Sequence, residues 1–216
     1  MLPGPTILRR CESCGQPFGQ PTIRSGNTFG ATYWTDGRMD APMLPDRPEL
    51  VKCPSCKAML WIEDQESIGE VYPSQFRDPE FKDLRLFALP SAEDYLRVLA
   101  DDSPRPRPTS EAAHQWQRYV RVRAWWAFND PRRTAAVKAP ITAAETANLR
   151  ALVDLLDDRD ANDRLMKAEV LRELGQFEDA AEILASVTGE GFRKAAAILS
   201  SLVEARDPFV AEMRFD

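Results

Sequence analysis

The chain has 216 residues, of which 44% are hydrophobic and 29% are charged. This composition is that of an ordinary globular protein, and its apolar content excludes disorder of the whole chain. The formal net charge of −6 argues against a general nucleic-acid binder, because such proteins gain affinity mainly by neutralising phosphates. No stretch approaches the roughly 18 apolar residues that indicate a membrane span, so we expect no membrane contact.

The start of the chain predicts its compartment. Residues 1–5 lack a basic start, and no apolar run of roughly 7–15 residues follows them. We therefore expect no secretory signal and a cytoplasmic location. Thiols are kept reduced in the cytoplasm, so the four cysteines indicate metal binding or redox chemistry rather than disulfide bonds.

A change of composition near residue 75 predicts an α+β fold in three parts. Residues 1–75 contain all four cysteines and most of the glycines, which favours turns and short strands. Residues 76–108 are expected to form a connecting helix and a linker of prolines and arginines. Residues 109–216 are poor in glycine and patterned like helices.

Short strands are predicted around the cysteines. Residues 6–10 and 50–52 each lead into a cysteine pair, and residues 58–63 follow the second pair. Between the pairs, residues 32–35 are strand-like and Asp36-Gly37 is a turn signal.

Capping and breaker signals predict six helices in the remainder. Their predicted extents are 91–100, 110–129, 142–157, 160–174, 177–187 and 190–205. Ser91 and Thr142 begin capping-box patterns. Pro131 is expected to stop the second helix, and Gly175 is expected to end the fourth in a left-handed conformation. Residues 103–108 alternate prolines with arginines, which predicts a linker.

The cysteine spacing predicts a metal site. Cys11 and Cys14 form one Cys-x2-Cys turn, and Cys53 and Cys56 form another 38 residues later. Such a turn presents two thiolates to one metal, and zinc prefers four soft ligands in a tetrahedron. Two turns complete the shell and leave no open position, which indicates one structural zinc ion. Gly15 follows the first pair, where the tight turn favours a residue tolerant of positive φ.

Two motifs carry a family resemblance, Cys11-Glu12-Ser13-Cys14-Gly15 and Cys53-Pro54-Ser55-Cys56. With them, residues 6–63 resemble a zinc ribbon, a rubredoxin-like arrangement of two knuckles on short strands. The gap between the pairs exceeds the usual roughly 15–20 residues, which predicts an added hairpin or loop. The same ligands could also hold iron. A redox dithiol is a further alternative, although it requires one pair at a helix start.

Residues 164–187 resemble one tetratricopeptide repeat. Ala168 matches the small residue of the first helix, and residues 175–180 match the turn and the start of the second helix. Arg164 and Phe192 depart from the pattern. The resemblance implies stacked antiparallel helix pairs, which more often form a binding surface than an active site.

Six residues form a candidate binding surface: Phe29, Tyr33, Trp34, Arg38, Arg118 and Arg121. The first four lie in residues 27–38, which fit either a recognition loop beside the zinc or a hairpin whose aromatics pack on the ribbon core. The last two lie in the helix 110–129, where aromatics interleave with arginines. That helix could bind single-stranded nucleic acid by stacking and phosphate contact. Its spacing also fits a core face whose arginines pair with acids elsewhere.

The favoured interpretation is a non-catalytic zinc-binding protein that mediates protein–protein interaction as an adaptor or regulator. The alternative is a nucleic-acid-associated regulator that uses the zinc ribbon and the helix 110–129. No phosphate loop, nucleotide fingerprint or nucleophile elbow is present in the sequence. His114 is the only histidine, and the metal leaves no cysteine to pair with it. An enzyme with dispersed catalytic residues is the third hypothesis.

Overall fold

The computed structural model describes residues 1–100 and 110–215. The predicted proline and arginine linker, residues 103–108, lies outside this part. The chain divides into two compact units. Unit 1 comprises Met1–Ala31 and Asp40–Pro90, and unit 2 comprises Thr32–Met39 and Ser91–Asp216. The predicted α+β class is confirmed, because in the described residues small antiparallel sheets of the N-terminal part are followed by six helices.

The strands are short and lie mostly in the first third of the chain. In chain order they are β1 (Leu2–Pro3), β2 (Thr6–Arg10), β3 (Pro17–Gln20), β4 (Ile23–Ser25), β5 (Thr32–Trp34), β6 (Met39–Asp40), β7 (Leu50–Lys52), β8 (Met59–Trp61), β9 (Glu66–Val71) and β10 (Glu212–Met213). They form two three-stranded sheets, ordered β3–β2–β9 and β10–β5–β6, and the pairs β1–β4 and β7–β8.

The core of unit 1 includes part of the predicted metal site. Six buried residues form this core: Cys11, Phe18, Val51, Cys53, Leu60 and Ile62. Strands β2 and β7 end immediately before the two buried cysteines, so the sheets fix where each cysteine pair begins. A core this small gives limited stability by itself.

The helices of the described part are α1 (Ala92–Ala100), α2 (Ser110–Thr134), α3 (Ala143–Val153), α4 (Ala161–Glu173), α5 (Phe177–Ser186) and α6 (Arg193–Glu204). Helices α4, α5 and α6 share an apolar core that includes Ala168, Ala180, Leu184 and Leu199. A second core joins α2 to α3 and α4 through Trp125, Leu152 and Val170, among others. The helix pair predicted for residues 164–187 is present, and small Ala168 and Ala180 are buried in its contact.

Most helix signals are confirmed. The Ser91 amide donates to Asp94 Oδ2 (3.0 Å), and the Asp94 amide donates to Ser91 Oγ (3.3 Å). Thr142 and Glu145 form the same reciprocal pair. Gly175 has a φ of 77° after α4, as a left-handed C-terminal residue should.

The predicted stop at Pro131 is wrong, because α2 continues to Thr134. Proline removes one backbone donor, but its fixed φ is compatible with a helix, and here only one further turn follows it. The Arg132 guanidinium donates to the carbonyl of Phe128 (3.1 Å) and to those of Ala139 and Pro140 (2.8 and 3.1 Å). These bonds hold the end of α2 to the chain that follows it.

Two other helix boundaries also differ from the prediction. Helix α3 ends at Val153, because the next residues form tighter turns, with the Leu155 amide donating to the Leu152 carbonyl (2.9 Å). A short 3-10 turn over Glu190–Phe192 precedes α6. Within residues 1–100 and 110–215, no helix has both the length and the apolar character needed to cross a membrane.

Candidate metal centre and docked hairpin

The first cysteine pair lies in a tight knuckle after β2. The Gly15 amide donates to the Cys11 carbonyl (2.8 Å), and the Cys11 amide donates to the Gln16 carbonyl (3.0 Å). Gly15 has a φ of 72°, which a residue without a Cβ adopts at little cost. The turn therefore brings Cys14 back beside Cys11.

The second pair repeats this geometry after β7. The Lys57 amide donates to the Cys53 carbonyl (3.0 Å), and the Cys53 amide donates to the Ala58 carbonyl (2.9 Å). Lys57 occupies the position equivalent to Gly15 and has a φ of 65°, which is uncommon for a residue with a Cβ. Its Nζ donates to the Pro54 carbonyl (2.9 Å), which helps to offset the strain of this turn.

The two knuckles bring all four cysteines together. Their Sγ atoms lie within 4.8 Å of one another. Two of these distances join the knuckles, 3.8 Å from Cys11 to Cys56 and 3.8 Å from Cys14 to Cys53. Four sulfurs at about 2.3 Å from a zinc ion form a tetrahedron with edges of about 3.8 Å. All four are free thiols, so this cluster could hold a metal ion such as zinc.

The thiols differ in burial and acidity. Cys11 and Cys53 are buried, whereas Cys14 and Cys56 are exposed. Burial raises the pKa of Cys11 to about 12. Burial alone would also raise the pKa of Cys53, but the backbone N–H groups of Cys56 and Ser55 bring it down to about 7. Because metals bind thiolates, binding at this cluster would release protons.

Gln65 supports the first knuckle, although no sequence pattern singles it out. Its side chain is buried. Its Oε1 accepts from the Glu12 amide (3.0 Å), its Nε2 donates to the Trp61 carbonyl (3.1 Å), and its own carbonyl accepts from Arg9 Nη1 (2.8 Å). A buried amide that satisfies these partners ties the first knuckle to the segments that follow β8.

Residues 32–39 between the knuckles form a hairpin that belongs to unit 2, and we call it the docked hairpin. The Trp34 amide donates to the Arg38 carbonyl (2.9 Å), and β5 pairs with β10 near the end of the chain. The aromatic contacts that the structure gives for this hairpin are with residues of unit 2, since Trp34 lies under Arg133 (4.9 Å) and Tyr33 meets Phe215 (5.6 Å).

Asp36 at the tip of the docked hairpin is fully buried. Arg133 binds both of its oxygens, with Nη1–Oδ1 at 3.2 Å and Nη2–Oδ2 at 2.6 Å. Asn129 Nδ2 donates to Oδ2 (3.1 Å), and Trp126 Nε1 donates to the Asp36 carbonyl (2.9 Å). Three residues of α2 therefore hold the hairpin tip.

The polar network continues to Glu173 on α4. Asn129 Nδ2 also donates to Glu173 Oε1 (2.9 Å), and Trp125 Nε1 donates to Oε2 (2.9 Å). Burial raises the pKa of Glu173 well above its ordinary value, and the negative charges of Glu169 and Asp36 raise it further. Ionisation of the Glu173 carboxyl group therefore destabilises the folded state.

Replacing Glu173 with glutamine is expected to change the pH dependence of stability. A raised pKa means that the folded state binds more protons than the unfolded state above the ordinary carboxyl pKa of 4.5, so wild-type stability should fall as pH rises through this range. Glu173→Gln removes that loss. Urea denaturation followed by helical circular dichroism should show its stability relative to wild type increasing with pH from about 4.5 upward.

The control for this measurement is Glu178→Gln, because Glu178 is exposed and its pKa is lowered by its hydrogen bond with Arg206. This control should show no such increase. Parallel stability curves for Glu173→Gln and wild type would contradict the prediction.

The three arginines among the candidate residues have side-chain partners within unit 2. Arg38 pairs with Asp130, Arg118 pairs with Asp163, and Arg121 Nη1 donates to Asn148 Oδ1 (3.4 Å). Of the residues expected on a core face of α2, Val120 and Ala124 are buried, whereas Trp116 and Ala127 are half-buried. Phe29 lies in unit 1 with 86% of its surface exposed.

Comparisons with known proteins give no match among protein-family models, curated proteins or solved structures. The resemblances to a zinc ribbon and to a tetratricopeptide repeat therefore rest on the residues quoted for them.

Proposed function

We propose that the chain is a non-catalytic protein that binds one zinc ion at Cys11, Cys14, Cys53 and Cys56 and mediates protein–protein interaction as an adaptor or regulator. The carrying observation is that the four Sγ atoms converge within 4.8 Å at separations that suit tetrahedral thiolate coordination. A reducing compartment such as the cytoplasm would keep these thiols available to the metal.

A structural role for the metal follows from the donor set. Four thiolates fill the shell of zinc, which leaves no position for water or substrate. Cys11 and Cys53 also belong to the apolar core of unit 1. The ion would therefore cross-link two knuckles and complete a small core rather than take part in a reaction.

Phe29 supports a protein partner. The residue is 86% exposed, yet its backbone is held in a tight turn. Its amide donates to Asn27 Oδ1 (2.9 Å), the Ala31 amide donates to the Thr28 carbonyl (3.0 Å), and Gly30 has a φ of 74°. An aromatic side chain on an ordered turn loses little backbone entropy on binding, and such residues often dominate interfaces.

The test uses the full chain, for which metal analysis is expected to give one zinc ion per chain. The zinc-loaded chain is immobilised and exposed to an extract of its source cells, and recovered proteins are quantified by mass spectrometry. Phe29→Ala should lower recovery of a specific partner by roughly tenfold or more, as loss of an interface anchor does.

Val137→Ala provides the matched control, because Val137 is a similarly exposed apolar residue, at 88%. Its recovery profile should equal that of wild type. A chain without bound zinc contradicts the first half of the proposal, and a set of recovered proteins that does not depend on Phe29 contradicts the second.

The nucleic-acid alternative has less support. It relied on arginines of α2, but Arg118 and Arg121 have partners on α4 and α3, and Arg133 binds Asp36. Guanidinium groups engaged within the fold are less available to phosphates.

A further inference from the structure

The 38 residues between Cys14 and Cys53 pass through both units. The chain leaves unit 1 after Ala31 and returns to it at Asp40. The loop that a shared metal ion would close at Cys14 and Cys53 therefore contains the docked hairpin at its middle.

The docked hairpin is held by more than its buried ion pair. The Thr35 amide donates to the Ala211 carbonyl (2.9 Å), and the Ala211 amide donates to Thr35 Oγ1 (3.0 Å). Trp34 lies opposite Glu212 in the β5–β10 ladder. These contacts fix both the backbone and the side chains of the hairpin within unit 2.

We infer that metal binding at the four cysteines and docking of the hairpin are coupled, so that the metal state of unit 1 controls how firmly unit 2 holds residues 32–39. Anchoring the middle of a loop shortens the free segments on either side, which lowers the entropy lost when its ends are joined. Closing the ends in turn lowers the entropy lost when the middle docks. Such a coupling is reciprocal, so each event strengthens the other by the same factor.

The coupling would make the helical unit responsive to zinc. Loosening the hairpin withdraws Asp36 from Arg133 and Asn129, and Asn129 also binds Glu173 of α4. Loss of the metal would thereby weaken the hydrogen bonds between α2 and α4. This inference rests on the proposed zinc site.

Hydrogen exchange of the full chain tests the first direction. The Thr35 amide reports docking, because it donates to Ala211. Removing zinc with a strong chelator should speed its exchange by roughly threefold, the factor that halving a closed loop is worth, while amides in α5 and α6 stay unchanged. Exchange at Thr35 that is equal with and without zinc overturns the coupling.

Zinc affinity, measured by competition with a chelating dye, tests the reciprocal direction. Asp36→Asn should loosen the hairpin and weaken zinc binding, by at most the factor by which zinc slows exchange at Thr35. Thr35→Val is the milder variant for use if Asp36→Asn fails to fold. Leu199→Val, which alters the core of α4, α5 and α6, should leave zinc affinity unchanged.

The outcomes separate this inference from the proposed function. A chain that binds one zinc ion with equal affinity whether its hairpin is docked or freely exchanging overturns only the coupling. A wild-type chain that binds no zinc overturns both.

Discussion

Removal of the metal ion is expected to unfold unit 1 while helices α4, α5 and α6 stay folded. A structural zinc contributes about 10–16 kcal/mol of apparent binding free energy at neutral pH, which exceeds the stability of most whole domains. The core of unit 1 is built around Cys11 and Cys53, so its packing and the metal shell should be lost together. The core of the three helices contains no cysteine and has no such dependence.

Hydrogen exchange after complete chelation measures this effect. Amides of β2 and β7 should lose protection, those of α4 should keep it, and added zinc should restore the first group. Cys56→Ser should reproduce the loss at limiting zinc, whereas Ser55→Ala, an exposed neighbour in the same knuckle, should not. Full protection of β2 and β7 in a metal-free chain would contradict the prediction.

The metal cluster could be predicted from the sequence because its determinants are local. Each Cys-x2-Cys turn closes within a few residues, and the positive φ of Gly15 and of Lys57 belongs to the same short segment. Only the contact between the two turns is long-range, and the preference of zinc for four thiolate ligands predicts that contact. Helix starts at Ser91 and Thr142 were predictable for the same reason, since their partners lie three residues away.

The docked hairpin could not be predicted in this way. Asp36 and Arg133 are 97 residues apart, and the chain contains 34 acidic residues that could each have paired with an arginine of α2. The sequence indicated that those arginines could pair with acidic residues elsewhere in the chain, but it did not indicate which acidic residues. The turn signal at Asp36-Gly37 located the hairpin, whereas its place in unit 2 depends on the β10 strand near the chain end.

Gln65 and Pro131 illustrate two further limits. Gln65 is a polar residue whose role comes only from the buried groups around it, and no pattern marks such a residue. Pro131 locally disfavours a helix, but the hydrogen bonds of the neighbouring Arg132 to the Ala139 and Pro140 carbonyls outweigh this effect.

Asp36→Asn is expected to destabilise unit 2 by about 3–5 kcal/mol, the usual cost of removing one partner of a buried ion pair. Asp36 is completely buried, and only 4% of the Arg133 side chain is exposed. The variant leaves the guanidinium out of water with Asp130 as its remaining acid, at 3.2 Å. Urea denaturation followed by helical circular dichroism, with zinc saturating, measures the change.

Two control variants are needed to interpret this change in stability. The double variant Asp36→Asn/Arg133→Met also removes the buried guanidinium and should recover part of the loss, because an unpaired buried charge is the largest part of the cost. Glu178→Gln breaks an ion pair whose two side chains are 75% and 62% exposed and should change the stability very little. If Asp36→Asn costs no more than Glu178→Gln, the buried pair does not hold the hairpin in unit 2, and the hairpin is retained by its other contacts, among them the pairing with β10 and the bond from Trp126 to the Asp36 carbonyl.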